Sequence, residues 1–366
     1  MWMWMLLLIT VFAGLCAGIV YLTIAVSRFG AIQSLARGKK RWSRLFALIL
    51  ILAGLLIATL TLSFVNAVFM FLHVAGFFLL AALIMRIIRH FTDRPFKIYL
   101  QGWIALAASV VTLSAGFYLC THVWKTEYYL ETPKTGATVK AALFSDSHLG
   151  STFDGAGLEK YVREIEQESV DILLIPGDFV DDASSRSDLD AACAILGQAD
   201  IPYGVWIAFG NHDEGYYNDR DFSADELRST LRENGIHLLE DEYELVDDRF
   251  YVAGRRDARH PDRKTMDELL EGADRSKYII LMDHQPNDYE NEAGHADLVV
   301  SGHTHGGQVF PFNQIGVLLG SDDRSYGTET RDGTVFIVTS GISDWELYFK
   351  TGTKSEYAII HIQSPE

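Results

Sequence analysis

Ser301-Gly302-His303-Thr304-His305-Gly306-Gly307-Gln308 sets two imidazoles one residue apart, directly after the apolar run 296–300. Four further segments also follow apolar, strand-like runs: Asp146-Ser147-His148, Gly177-Asp178, Gly210-Asn211-His212-Asp213 and Asp283-His284-Gln285-Pro286. Their Asp, His and Asn side chains are the oxygen and nitrogen donors that suit Mn, Fe or Zn, and the set contains no thiolate. An isolated His-x-His is a weak signal, and polar groups that merely satisfy strand ends would explain any one segment alone. Five segments together point to a shared task, because a metal centre needs ligands in fixed geometry and rigid strand ends supply such anchors. Two divalent ions carry more positive charge than Asp146 and Asp178 remove. Such a centre stays cationic, suited to attracting a phosphoryl group and stabilising its transfer.

The order Asp-x-His, Gly-Asp-x-x-Asp, Gly-Asn-His-Asp, His and Gly-His-Thr-His resembles the calcineurin-like metallophosphoesterase superfamily over residues 140–362. Leu281-Met282-Asp283-His284-Gln285-Pro286 and the Gly306-Gly307-Gln308 tail look more narrowly like the bacterial membrane-anchored branch. The resemblance implies two packed mixed β-sheets flanked by helices. It also implies a pair of divalent ions as cofactors, one held by Asp146, His148 and His305 and the other by Asn211, His284 and His303, with Asp178 bridging them. His212 matches the position of a general acid beside such a site; read without the family it is a surface histidine in a turn. Related membrane-anchored members include UDP-diacylglucosamine pyrophosphatases and general phosphodiesterases. Monoester, diester and pyrophosphate bonds are therefore all open as targets, in a lipid-linked or cell-envelope substrate. An inactive, metal-bound receptor or scaffold on a membrane anchor is the other class of reading, and loss of ligands would be its mark; none of the seven is lost.

Around this set, Asp181, Asp213 and Asp283 are placed either to orient ligand histidines or to cap turns. Arg255 and Arg256 are candidates for phosphate contact or for pairing with nearby acids. Residues 341–354, including Trp345, Tyr348 and Phe349, are a candidate part of the substrate cleft.

The elements that must position these residues read as alternating strands and helices that give way to a mostly β second half. Strand-like runs fall at 139–144, 171–175, 203–209, 249–253, 278–282, 296–300, 334–338 and 357–362. Leu158, Tyr161, Val162 and Ile165 follow helical spacing, as do Leu227 and Leu231 behind a cap at Ser223. The pattern alone gives an α/β domain over 139–366, joined to what precedes it by a connector at 123–138.

Residues 1–122 are of another kind. They hold ten Lys or Arg against one acid, Asp93, whereas the remainder carries 21 basic and 47 acidic residues, +9 against −26. An acidic remainder argues against nucleic acid as a partner. Apolar runs at 1–26, 45–65, 67–85 and 98–120 are each long enough to cross a bilayer, which takes about 20 helical residues. The expectation is an all-α anchor of four transmembrane helices, multi-pass in the cell membrane. A cleaved signal peptide fits the first run poorly, because no Lys or Arg precedes it. Cys16 follows Leu15 rather than a small residue, which also disfavours a lipoprotein processing site.

The linker with Arg28, Arg37, Lys39, Lys40, Arg41 and Arg44 is basic, and so is the one with Arg86, Arg89, Arg94 and Lys97, whereas the turn near Asn66 is uncharged. The positive-inside rule makes both basic linkers cytoplasmic and the catalytic domain extracytoplasmic. His73 and Gln101 are the main polar candidates in mid-span, and a packed or interfacial role suits His73 better than a relay. Cys16, Cys120 and Cys193 build no disulfide framework.

Overall fold

A computed structural model describes residues 2–92, 98–216 and 220–365. The chain forms two compact units, one of Met1–Gly116 with Glu346–Tyr348, the other of Phe117–Trp345 with Phe349–Glu366. Four helices are long and apolar enough to cross a membrane: the stretch Ile9–Val26 of the helix Trp2–Val26, then Lys40–Thr61, Phe64–Phe91 and Leu100–Thr121. A short helix, Gly30–Leu35, lies in the first basic linker.

The turn between the second and third spans comes at Leu62 and Ser63, so Asn66 lies inside a helix. Ser63 caps that helix, its Oγ accepting from the Asn66 N–H at 3.1 Å. Leu22, Ala25, Phe71, Ala75 and Phe78 form the small buried core of the bundle. Leu60, Val111 and many other apolar side chains point outward, as expected of helices whose solvent is lipid. His73 Nδ1 bonds the Phe69 carbonyl one turn back, at 2.8 Å, and Arg89 donates to Gln101 at 2.9 Å. Arg86 and Arg89 belong to the end of the third span rather than to a linker, and Arg94 and Lys97 lie outside the described residues.

The second unit contains two six-stranded mixed sheets. The strands are β1 (Val123–Glu131), β2 (Val139–Leu143), β3 (Ile172–Pro176), β4 (Val205–Ala208), β5 (His237–Leu238), β6 (Glu242–Val246), β7 (Phe250–Gly254), β8 (Tyr278–Met282), β9 (Leu298–Ser301), β10 (Gly327–Arg331), β11 (Thr334–Val338) and β12 (Ser355–Gln363). The first sheet runs β1-β12-β2-β3-β4-β5 and the second β10-β11-β9-β8-β7-β6. Val123–Glu131, expected as a connector, is a full strand parallel to β12.

Side chains alternate across each strand, so the inner strands feed a core on each face. Ala141, Leu143, Ile172, Leu174 and Trp206 meet Val252, Ile280, Met282 and Val300 between the sheets. Their neighbours Ala142, Leu173, Ile175 and Ile207 pack on the helices Leu158–Gln167, Arg186–Gly197 and Ala224–Glu233. The last of these begins with a capping box, in which Ser223 Oγ accepts from the Glu226 N–H and Glu226 accepts in return from the Ser223 N–H. The far face of the second sheet, with Tyr251, Ile279, Leu281, Val299 and Phe336, is covered by Met266, Leu269 and Tyr289. β2, β3 and β4 run parallel, as do β7, β8 and β9, so their carboxyl-terminal loops gather at one end of each sheet.

Candidate metal centre

The eight residues singled out from the sequence all lie in the loops that leave β2, β3, β4, β8 and β9. Asp146, His148 and His305 form one group whose donor atoms lie within 4.8 Å of one another; Asp178, His284 and His303 form a second. Asp178 stands where the two meet. Its Oδ2 is 3.0 Å from His284 Nε2 and 3.7 Å from His148 Nε2. Asn211, which follows β4, presents a buried Oδ1 that makes no hydrogen bond, while its amide nitrogen donates to Tyr216 Oη at 2.9 Å.

The backbone is bent to bring these side chains in. Asp146, His148, Asp178, His303 and His305 all have positive φ, between 37° and 69°. Five non-glycine residues in that region amount to strain concentrated at one place, and such strain persists only where the surroundings hold it. Two glycines let the carboxylates approach the backbone. A Cβ on Gly210 would stand 2.3 Å from Asp178 Oδ1, and one on Gly302 2.3 Å from Asp146 Oδ2. In their place come main-chain hydrogen bonds. The His212 N–H donates to Asp178 Oδ1 at 2.8 Å, and the His303 N–H donates to Asp146 Oδ1 at 2.9 Å.

The donor set fits divalent ions. His284 Nδ1 donates to the Pro176 carbonyl at 2.8 Å, so this nitrogen keeps its proton and Nε2 is the one left to bind a metal. Nε2 of His148 is buried and makes no hydrogen bond, and Nε2 of His284 is buried against Asp178 Oδ2 at 3.0 Å. Polar atoms left unmatched in an interior are costly unless something binds them, and nitrogen lone pairs grouped beside carboxylates are what Mn, Fe or Zn accept. The electrostatics of the chain alone are strongly skewed. Burial opposes charge on His284, but the Asp178 carboxylate overrides it and pushes the imidazole up to about 10. Burial and the neighbouring His148 and Lys350 hold His305 well below the ordinary imidazole value. Burial alone would raise Asp178; His284 and His148 together pull it well below the ordinary carboxylate value.

The supporting acids divide by role. Asp181 caps a turn, its Oδ1 accepting from the Ala183 N–H at 2.7 Å, while its Oδ2 lies 3.6 Å from His148 Nδ1. Asp213 meets no histidine and clamps backbone instead. Its carboxylate accepts from the N–H groups of Asp178, Phe179, Val180 and Gly210 at 2.7 to 3.1 Å. Asp213→Ala leaves those buried donors unmatched, and the expected cost is on the order of 3–5 kcal/mol. Thermal unfolding of the purified variant reads this directly.

Asp283 faces arginines, with Arg255 Nη1 at 3.1 Å and Arg263 Nη1 at 3.0 Å. Arg255 also meets Asp288 and Glu292, and Arg256 meets Asp262, so acids engage both of the arginines considered for phosphate.

Two participants were not singled out individually. Asp344 Oδ1 lies 3.6 Å from His305 Nδ1, and Lys350, fully buried, lies 3.3 Å from the same oxygen. His305 thus has a carboxylate behind it as His148 has Asp181. Both belong to the segment expected to flank the cleft, and nothing in its sequence sets them apart from its other charged residues, Glu346 and Lys354. His212 places its ring 5.0 Å from that of His148, 5.0 Å from Tyr216 and 5.2 Å from Trp345.

Two packed mixed sheets with Asp and His clusters at their parallel strand ends are the frame of a dimetal-dependent hydrolase. Comparison with known proteins agrees. Residues 139–307 match the family model of the calcineurin-like phosphoesterases. A metallophosphoesterase of Aquifex aeolicus is 34% identical over 241 residues, covering 63% of this chain and 89% of that protein. One of Helicobacter pylori is 30% identical over 272 residues, 68% of this chain and 70% of that protein. A protein of Danio rerio named as a transmembrane protein with a metallophosphoesterase domain is 31% identical over 202 residues, 51% of this chain and 45% of that protein. The chain belongs to the calcineurin-like metallophosphoesterase family, whose members are phosphoesterase hydrolases dependent on two metal ions.

Proposed function

We propose that this chain is a membrane-anchored dimetal phosphoesterase whose catalytic domain, residues 139–366, works at the extracytoplasmic face of the cell membrane. The observation that carries the reading is the meeting of two Asp/His groups at Asp178. In it Asp146, His148 and His305 hold one divalent ion, Asn211, His284 and His303 hold the other, and Asp178 serves both. When bound, the two ions would supply Lewis acidity to phosphoryl oxygens and lower the pKa of water.

The chain's own groups do the positioning. The main-chain N–H groups of His303 and His212 fix the carboxylates of Asp146 and Asp178, and the Pro176 carbonyl fixes the tautomer of His284. His212, beside the site rather than in either group, is the general acid that gives a proton to the departing oxygen. The substrate is a phosphomonoester, phosphodiester or pyrophosphate of a lipid-linked or envelope molecule. Four candidate spans in the same chain favour it, since they keep the domain next to lipid. Aryl phosphomonoesters, aryl phosphodiesters and lipid pyrophosphates, each assayed with Mn, Zn and Fe, test the activity; turnover of none of them overturns it.

Orientation follows from charge, because basic linkers stay cytoplasmic. Glu242, exposed on β6, offers a reporter position, and with Cys120 and Cys193 buried only Cys16 needs replacing by serine. Glu242→Cys in that background is expected to label with an impermeant thiol reagent in intact cells, after permeabilisation of an outer membrane where one is present. Labelling that requires lysis of the inner membrane would reverse the orientation.

A further inference from the structure

Beyond the last candidate span, exposed large apolar side chains concentrate in one stretch. Phe310, Phe312, Ile315, Leu318 and Leu319 all face outward, Leu318 by 82%. The other exposed large apolar residues described there, Tyr129, Tyr216, Leu245 and Trp345, are scattered singly. The helix Ile315–Leu319 buries none of its residues, although all but Gly316 are apolar. A helix of that composition normally turns its apolar side inward.

The stretch is nonetheless held firmly in its outward pose. Gln314 donates to Ser325 Oγ at 2.8 Å, the Phe310 N–H to Thr351 Oγ1 at 3.1 Å, and the Asp323 N–H to the Pro286 carbonyl at 2.7 Å. Thr304, between His303 and His305, donates to the Ser325 carbonyl at 2.6 Å, so the apolar stretch shares its mooring with the histidine loop.

Lipid is the occupant that the rest of the chain argues for. Four helices are long and apolar enough to cross a bilayer, and a single residue, His122, separates the helix Leu100–Thr121 from β1. No Lys or Arg occurs from Val309 to Asp323, so the stretch carries nothing to draw it to anionic headgroups, and its attraction is to the acyl boundary itself.

We propose that residues 310–319 form an interfacial segment that dips into the outer acyl boundary of the bilayer, presenting the adjoining His303–His305 loop to amphiphilic phosphoesters whose headgroups lie at that surface. The substrate class rests on the hydrolytic reading above; the membrane contact does not.

The test uses the full chain with Cys16→Ser, reconstituted in phosphatidylcholine nanodiscs. An environment-sensitive fluorophore is attached at Leu318→Cys or, as reference, at Leu245→Cys on the edge strand β6. Doxyl-labelled lipid is expected to quench the Leu318 probe at least about threefold more than the reference, as for a side chain seated at the acyl boundary. Equal quenching overturns the membrane contact, and so does self-quenching between copies in the absence of doxyl lipid, which would put a second copy on the segment. In the second arm, L318D/L319D is expected to lose about tenfold in turnover of a lipid phosphoester in the same bilayer while hydrolysing a soluble nitrophenyl ester normally. Unchanged turnover of the bilayer substrate overturns the presenting role. Doxyl quenching in a protein that hydrolyses no phosphoester leaves the membrane contact standing and removes the hydrolytic reading alone.

Discussion

Asp178→Asn is expected to empty both metal positions and abolish turnover, a larger effect than loss of any other single ligand. The substitution keeps the shape of the side chain and removes its charge. In the native chain one carboxylate oxygen lies 3.0 Å from His284 and 3.7 Å from His148, while the other is held by the His212 N–H at 2.8 Å. Under the proposed ligand set, a neutral amide in that place would neutralise neither ion. Loss of an outer-shell partner alone costs roughly 10- to 100-fold in affinity or activity, and loss of a residue that serves both ions, as proposed for Asp178, should exceed that for each. Asp146→Asn is the control, because Asp146 groups with His148 and His305 only and its loss should lower the occupancy of one position. Metal analysis of the two purified variants separates the cases. An Asp178→Asn protein with two bound metals and full turnover would show that this carboxylate does not bridge.

The strands that could be read from the sequence and those that could not are divided by their place in the sheets. β2, β3, β4, β7, β8, β9, β11 and β12 each fall on an apolar run, because a strand with neighbours on both sides and cores on both faces must be apolar almost throughout. β1, β5, β6 and β10 escaped, and they are the four sheet edges. β1 buries only Val123 and then alternates part-exposed and exposed side chains, β6 keeps only Val246 buried, and β10 buries nothing. Edge strands are kept polar, which blunts their tendency to pair with other chains and also erases the signal that would reveal them. The candidate spans were legible for the opposite reason, since lipid demands an unbroken apolar run; what was missed is the turn at Ser63 and the helical ends that carry Lys40, Arg41, Arg44, Arg86 and Arg89.

In the site, legibility follows chemistry. Residues that can bind a metal lie in short motifs after strands, and type and spacing identify them in the chain before their convergence is known. The residues that hold them do not sort so easily. Asp213 and Asp283 are alike on paper, yet one gathers four backbone N–H groups and the other neutralises Arg255 and Arg263. Asp344 and Lys350 depend on a fold that buries both behind His305, and no local pattern records that.

His212→Ala is expected to keep both metals and lose about 10²- to 10⁴-fold in rate on a substrate with an alkyl leaving group, the usual worth of general acid catalysis. Metal retention follows from geometry. What His212 gives Asp178 is a main-chain N–H, which alanine supplies equally well, and its ring belongs to neither group of candidate ligands. The ring Nδ1 is buried without a hydrogen bond, so no structural partner is orphaned by its removal. With nitrophenol as the leaving group the loss should be much smaller, because nitrophenolate departs without a proton and an alkoxide does not. Burial holds the imidazole below its ordinary pKa, so in the native enzyme the alkyl ester should also lose rate with rising pH, as the protonated fraction falls, sooner than the nitrophenyl ester does. Equal losses on both substrates in a variant that retains its metals would assign His212 to holding the phosphate rather than to proton transfer.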